Sequence, residues 1–199
     1  MDELLVRAVL FDLDGTITRP ILDFAAIRSE IGIEDGTPVL EYLEGLGEAE
    51  RDRAEAILDA HEEQAARDAE PNDGIMELFS FLKEAGLPTG IVTRNSRNAA
   101  EITLEKLGLE VEAVVCRNDA PVKPAPDPVL LAARLVGVAP ENGLYVGDYE
   151  FDVRAGLAAG MRTVLIPSRP PGPTMPKPDY EFSSAEELIP VIRSLNGDR

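Results

Sequence analysis

The stretch Val6-Arg7-Ala8-Val9-Leu10-Phe11-Asp12-Leu13-Asp14-Gly15-Thr16 decides how the chain is read. Its first half is a short apolar run, suited to a strand buried on both faces, and it breaks into a glycine turn right after two carboxylates. On extended backbone, residues two apart share a side, so Asp12 and Asp14 converge where the strand ends. An aspartate turn with glycine is common punctuation. A buried strand ending in two acids is less common, because neighbouring like charges repel unless a cation or a shared proton relieves them.

Outward from this stretch, comparable apolar runs recur at Thr89-Gly90-Ile91-Val92-Thr93, Ala113-Val114-Val115-Cys116, Leu144-Tyr145-Val146-Gly147 and Thr163-Val164-Leu165-Ile166. Helical periodicity lies between them. Ile75, Leu78, Phe79 and Leu82 fall at i, i+3, i+4 and i+7, and similar patterns cover 98–107, 126–136 and 153–159, the last closed by Gly160. Ser184-Ala185-Glu186-Glu187 has the form of a capping box opening a helix over 184–195. Strand and helix alternate and the strands are apolar throughout, which predicts an α/β fold with a Rossmann-like parallel sheet.

Residues 17–82 break the alternation. They contain helical patterns at 24–31, 39–46 and 48–69 and nothing resembling a strand. The segment reads as a small α-helical cap inserted after the first strand, hinged near Thr18-Arg19-Pro20 and Glu70-Pro71-Asn72-Asp73-Gly74, leaving 1–16 and 83–199 as the core. It holds 17 acidic and 5 basic residues, a net of −12 out of −18 for the chain, and its long charged helix is expected to present a solvated face.

Composition narrows the function. A chain of 199 residues suits one domain with a modest insertion. A net charge of −18 disfavours a nucleic-acid backbone or an anionic membrane surface as partner. Cys116 is alone, which excludes an intrachain disulfide and a multi-cysteine zinc site. His61 is the only histidine, excludes a two-histidine metal site, and reads as a surface residue of the long helix. Asp2 and Glu3 are unlike the basic start of a signal peptide. No apolar run approaches the ~18 residues of a membrane span, so the expected location is cytoplasmic.

Three further clusters follow strand ends, the edge where open α/β sheets bind ligands. In Thr93-Arg94-Asn95-Ser96, a hydroxyl and helix N-terminal N–H groups suit a phosphate oxygen, and Asn95 or Ser96 equally suits a plain helix cap. Lys123, one of four lysines, is held in place by Pro124, Pro126 and Pro128. Gly147-Asp148-Tyr149-Glu150-Phe151-Asp152 places two acids at a helix start. Carboxylate oxygens without imidazole or thiolate favour Mg²⁺ over zinc, and a Mg²⁺ with a lysine would hold a phosphate and relieve the clustered charge.

The order of these clusters resembles the haloacid dehalogenase-like superfamily, in particular its phosphoglycolate-phosphatase-like branch with a helical cap. The D-x-D-G-T motif at Asp12–Thr16 is the specific part, and the resemblance covers nearly the whole chain. It implies a Mg-dependent phosphatase acting on a small phosphorylated metabolite. By the same resemblance Asp12 is the nucleophile that forms an aspartyl-phosphate, and Asp14 the acid and then the base. Thr93, Arg94, Asn95 and Lys123 are the implied phosphate-binding residues, with Lys123 also neutralising the nucleophile. Asp12, Asp14, Asp148 and Asp152 make up the implied magnesium site, Asp14 through its backbone carbonyl and Asp152 by steadying the metal's water shell or Lys123. Tyr149 departs from the small residue the family often has after its metal-binding aspartate, which puts the shape of that loop in question.

Within the superfamily, Asp14 argues against dehalogenation. The absence of lysine from residues 17–82 argues against phosphonate hydrolysis through a cap Schiff base. A sugar-phosphate mutase, a pyrophosphatase or nucleotidase, and a non-catalytic binding protein on the same fold remain as alternatives. The oligomeric state is open at this stage.

Overall fold

A computed structural model describes residues 5–34, 36–170 and 172–197. Asp2, Glu3, and Pro171 of the stretch 167–178, which holds six prolines, lie outside the described residues. Six strands, β1 (Ala8–Phe11), β2 (Thr89–Val92), β3 (Ala113–Val115), β4 (Gly143–Gly147), β5 (Arg162–Leu165) and β6 (Tyr180–Glu181), form one parallel sheet in the order β3-β2-β1-β4-β5-β6. The apolar runs thus become the first five strands in chain order, as the α/β reading expects. The two-residue strand β6 has no apolar run of its own to announce it.

Strand alternation sorts the side chains to two faces. Val9 and Phe11 of β1 join one cluster with Ile91, Val146 and Val164, while Leu10 joins the other with Val92, Val115 and Tyr145. Helices cover both faces. α4 (Ile75–Glu84), α5 (Arg97–Leu107) and α8 (Leu188–Leu195) lie on the first, and α6 (Asp127–Leu135) and α7 (Glu150–Ala158) on the second. The capping box at Ser184 is present, but it opens a 3₁₀ turn at Ala185–Glu187 that runs on into α8.

Between β1 and α4 the chain forms α1 (Phe24–Ile31), α2 (Val39–Glu44) and α3 (Glu48–Asp68). Asp23 caps α1 by accepting from the N–H groups of Ala25 and Ala26, both at 3.0 Å. These helices bury a separate cluster made of Ile27, Ile33, Val39, Leu43, Ala54 and Leu58. By packing, the insertion ends before α4, whose Ile75, Leu78, Phe79 and Leu82 belong to the sheet cluster. The boundary at residue 82 therefore does not follow the packing: the apolar stripe of α4 has the sheet to bury against.

The two strands of chain that enter and leave the insertion run side by side. Thr18 bridges to Pro71, Arg19 N donates to Glu70 O at 3.0 Å, and Asn72 N donates to Ile17 O at 2.8 Å. The Asn72 side chain also donates to Gly15 O at 2.9 Å, tying this junction to the turn after β1. The long helix is less solvated than its charge suggests. Ala65, Ala66 and Glu62 of α3 are buried, and α3 lies along α5.

Candidate active site

The strand order reverses direction around β1 and β4, which opens a crevice at their carboxyl ends. Asp12 and Asp14 follow β1, Thr93 follows β2, Asp148 follows β4, and Lys123 reaches in from the loop after β3. All five line one cavity of about 290 Å³.

Lys123 is the hub. Its buried Nζ donates to Asp12 Oδ1 at 2.5 Å, to Asp152 Oδ1 at 2.7 Å and to Val92 O at 2.9 Å. Burial works against its charge, but the Asp12 and Asp152 carboxylates outweigh this and hold it above its ordinary value. Asp152 sits inside this frame. Its Oδ1 accepts from Lys123 and from the Tyr145 hydroxyl at 3.1 Å, and its Oδ2 from the N–H groups of Asp148 at 3.3 Å and Tyr149 at 3.1 Å. With these donors on both oxygens, Asp152 shapes the loop and orients Lys123. Of the two roles the sequence suggested, the geometry favours support of the lysine over contact with a metal's shell.

Two glycines make room for the carboxylates. Gly15 has φ +84°, and a Cβ there would stand 2.4 Å from Asp148 Oδ2. A Cβ on Gly147 would stand 2.1 Å from Asp152 Cβ. Asp148 also accepts a hydrogen bond from Ser168 Oγ. Tyr149 packs edge-on to Phe151 at 5.4 Å between ring centres, and both rings line the cavity.

Burial raises the Asp12 carboxyl to about 7 even against Lys123. Burial and then the Asp12 charge raise Asp14 to about 7, and burial and then Asp152 raise Asp148 to about 6. This is a site with more buried carboxylates than cations. Asp12, Asp148 and Asp152 each bring an oxygen within 4.8 Å of the others. Hard oxygen donors beside a turn that only glycine can occupy fit a divalent cation such as Mg²⁺.

Thr93 and Asn95 form one small motif. Thr93 Oγ1 accepts from Asn95 N at 3.1 Å, and Asn95 Nδ2 donates to Asp14 Oδ2 at 2.6 Å. Ser96 is the helix cap, accepting from Ala99 N at 3.3 Å. Arg94 and Asn95, expected on the phosphate, are engaged elsewhere. Asn95 is taken by Asp14, while Arg94 donates to both oxygens of Glu41 at 2.8 Å and to Lys123 O, and lies 4.9 Å from the Phe151 ring centre. The reason is charge: the acidic α2 offers Arg94 a carboxylate that the sequence alone does not place beside it.

Sequence reasoning missed a buried pair under the insertion. Arg117 donates to both oxygens of Glu62 at 2.7 Å and also pairs with Asp59, and Glu62 Oε2 accepts from Ser96 N at 2.9 Å. Burial raises the Glu62 carboxyl, with Arg117 opposing. A glutamate on a highly charged helix carries no signal that sets it apart from its neighbours. His61 pairs with Glu30 of α1 at 2.8 Å, within the insertion. Cys116 is buried, and burial lifts its thiol to about 11, so it stays protonated.

Residues 25–166 match the family described as haloacid dehalogenase-like hydrolase. The chain belongs to that family. A phosphoglycolate phosphatase of Xanthomonas campestris pv. campestris is 35% identical over 79% of this chain and 81% of its own. An N-acetylmuramic acid 6-phosphate phosphatase of Pseudomonas aeruginosa is 32% identical over 83% and 84%. A β-phosphoglucomutase structure from Clostridium difficile superposes with a TM-score of 0.73 over 98% of each chain at 22% identity, a likeness of fold. This haloacid dehalogenase-like chain is thus a hydrolase related to named phosphatases. Among its described residues, no helix is long and apolar enough to cross a membrane.

Proposed function

We propose that the protein hydrolyses a small phosphomonoester through an aspartyl-phosphate on Asp12. The observation that carries this reading is the division of labour between two aspartates on one strand end. Burial raises both carboxyls to about 7, and what separates them is the partner: Asp12 is held by the Lys123 cation at 2.5 Å, Asp14 by the neutral Asn95 amide at 2.6 Å. The first suits a nucleophile whose charge a cation partners, the second a group that carries and gives up a proton near neutral pH.

In the first step an Asp12 carboxylate oxygen bonds to phosphorus and the ester P–O bond breaks. The departing alcohol oxygen takes the proton from Asp14. In the second step Asp14, now a carboxylate, takes a proton from water as the water oxygen bonds to phosphorus. The acyl-phosphate P–O bond breaks, inorganic phosphate leaves, and the Asp12 carboxylate is restored. Lys123 balances charge on the nucleophile and the moving phosphoryl group, and the Thr93 hydroxyl holds a phosphoryl oxygen. Asp12, Asp148 and the Asp14 backbone carbonyl would hold Mg²⁺, which when bound neutralises charge on the phosphoryl oxygens. The helical insertion acts as a cap that shields the acyl-phosphate and meets the leaving group.

The relatives' named substrates, phosphoglycolate and N-acetylmuramic acid 6-phosphate, support a phosphorylated metabolite of modest size. The test is phosphate release from a phosphomonoester panel with Mg²⁺ and with a chelator, beside Asp12→Asn. Metal-dependent release that the variant abolishes supports the reading. Release that survives Asp12→Asn overturns it.

A further inference from the structure

The cavity has two unlike walls. Ile21, Leu22, Phe24, Val39 and Leu40 make the insertion side apolar, and Ile21 and Phe24 stay 44% and 42% exposed despite their size. The core side carries three cations. Lys123 is saturated by Asp12 and Asp152, and Arg94 by Glu41. Arg169 differs. Its guanidinium lies 3.6 Å from the centre of the Tyr149 ring, and among the described residues it makes no hydrogen bond or ion pair.

Its position is built. Pro167 and Pro170 bracket it in sequence, and the neighbouring Ser168 is hydrogen-bonded to Asp148. A guanidinium stacked on an aromatic face keeps its N–H edges free for a planar partner. Arg169 therefore offers a fixed, unpaired fork on the rim of the cavity that holds Asp12.

We propose that Arg169 reads a carboxylate on the alcohol half of the substrate, so that the preferred substrates are phosphate esters of small hydroxy acids. This rests on the phosphatase reading above. The charge balance favours a carboxylate over a second phosphate. One unpaired guanidinium matches one negative charge, and the fork matches two carboxylate oxygens. A second phosphate would bring about −2 into a site already crowded with Asp12, Asp14, Asp148 and Glu62. The apolar wall opposite adds no donor for further oxygens.

The rival role is plain charge balance, since Arg169 opposes the rise of Asp148. Matched esters separate the two roles. 2-Phosphoglycolate is paired with 2-hydroxyethyl phosphate, 3-phosphoglycerate with glycerol 3-phosphate, and ethane-1,2-diyl bisphosphate stands for a second phosphate. Each is assayed with the wild type, Arg169→Ala and Arg169→Lys. The wild type is expected to favour the carboxylate member of a pair by about tenfold in kcat/KM, the size of a charge-assisted bond open to solvent on one side. Arg169→Ala removes that preference mainly through KM and leaves the neutral esters within about twofold, and Arg169→Lys keeps part of it. An equal loss on all esters, no carboxylate preference in the wild type, or a preference for the bisphosphate overturns the proposal while the phosphatase reading stands. If the wild type hydrolyses none of these or any wider panel of esters, both fall together.

Discussion

Leu10 and Leu43 are both buried leucines, yet they are buried by different means. Leu10 lies in the middle of a sheet covered on both faces and is fully buried among side chains from β2, β3, β4 and α6. Leu43 is buried within a small cluster assembled by three helices of the insertion. Among the described residues, the two bodies share no cluster of buried hydrophobic residues. What joins them is small alanines and polar pairs: α3, with Ala65 and Ala66 buried, lies along α5, and beside it Glu62 meets Arg117, Glu41 meets Arg94, and Asn98 donates to Glu63 at 2.6 Å. Large apolar side chains fix each body internally, while the seam between them is made of small side chains and hydrogen-bonded charge. The partly exposed pair of Glu41 and Arg94 can exchange for water at lower cost than large packed side chains, which suits the proposed role of the insertion as a cap that admits substrate.

The largest effect separates chemistry from architecture. Asp12→Asn should lose phosphate release on the order of 10³-fold or more, while urea unfolding shows a stability equal to the wild type or higher, because a buried charge has been removed. Next comes the leucine pair. Leu10→Ala should cost about 3–5 kcal/mol and Leu43→Ala about 2–3 kcal/mol. Amide exchange gives the sharper reading: the first should speed exchange throughout, the second only over 24–68. Global loosening by Leu43→Ala would show that the two bodies are one cooperative unit.

Removing one partner of the buried seam pair comes third. Arg117 and Glu62 have side chains 7% and 3% exposed. Arg117→Met should cost about 3 kcal/mol by leaving Glu62 uncompensated, and the Glu62→Met, Arg117→Met double variant should regain most of that. A double variant no better than the single would mean that packing, not charge, holds the seam.

The pH dependence comes fourth. Asp14 and Asp148 are raised in the folded state to about 7 and about 6. Groups raised by folding contribute stability that is complete below their unfolded pKa and lost as pH rises through the folded value. Metal-free protein should therefore melt at a lower temperature at pH 8 than at pH 5. Asp14→Asn should flatten that slope, and Mg²⁺ at pH 8 should raise the melting temperature. The smallest effect belongs to the half-exposed seam pair. Glu41→Gln should change stability by less than about 1 kcal/mol, and its trace should be faster exchange in α2 alone.

The sheet was legible because its signal is local. An apolar run between helical periods reads as a buried strand, and each of the five such runs does form one. The strand ends were legible for the same reason, since Asp12, Thr93, Lys123 and Asp148 stand just past elements that the pattern identifies. Partnership was not legible. Whether Arg94 faces a phosphate or Glu41, and whether Glu62 is solvated or buried on Arg117, depends on how the insertion lies over the sheet, and nothing within a few residues of either encodes that. Arg169 was hidden in another way. Its loop reads only as proline-rich, and its meaning comes from Tyr149, twenty positions earlier in the chain.

The bridge between Thr18 and Pro71 has a consequence for how the chain assembles. Val9 of β1 pairs with Thr89 of β2, so the first central contact of the sheet closes a loop of eighty positions. If the insertion collapses first and its ends meet, the path between those strands shortens to about a third. Loop-closure entropy then falls by roughly 1 kcal/mol. The insertion would thus act during folding as a clip on its own host, making the slow, distant strand pairing a nearer one. Cutting the insertion out and joining Arg19 to Glu70, which are already hydrogen-bonded, would leave the same short path. The trimmed chain should therefore pair its central strands without delay, and the insertion could be exchanged for another of different size at the same two residues.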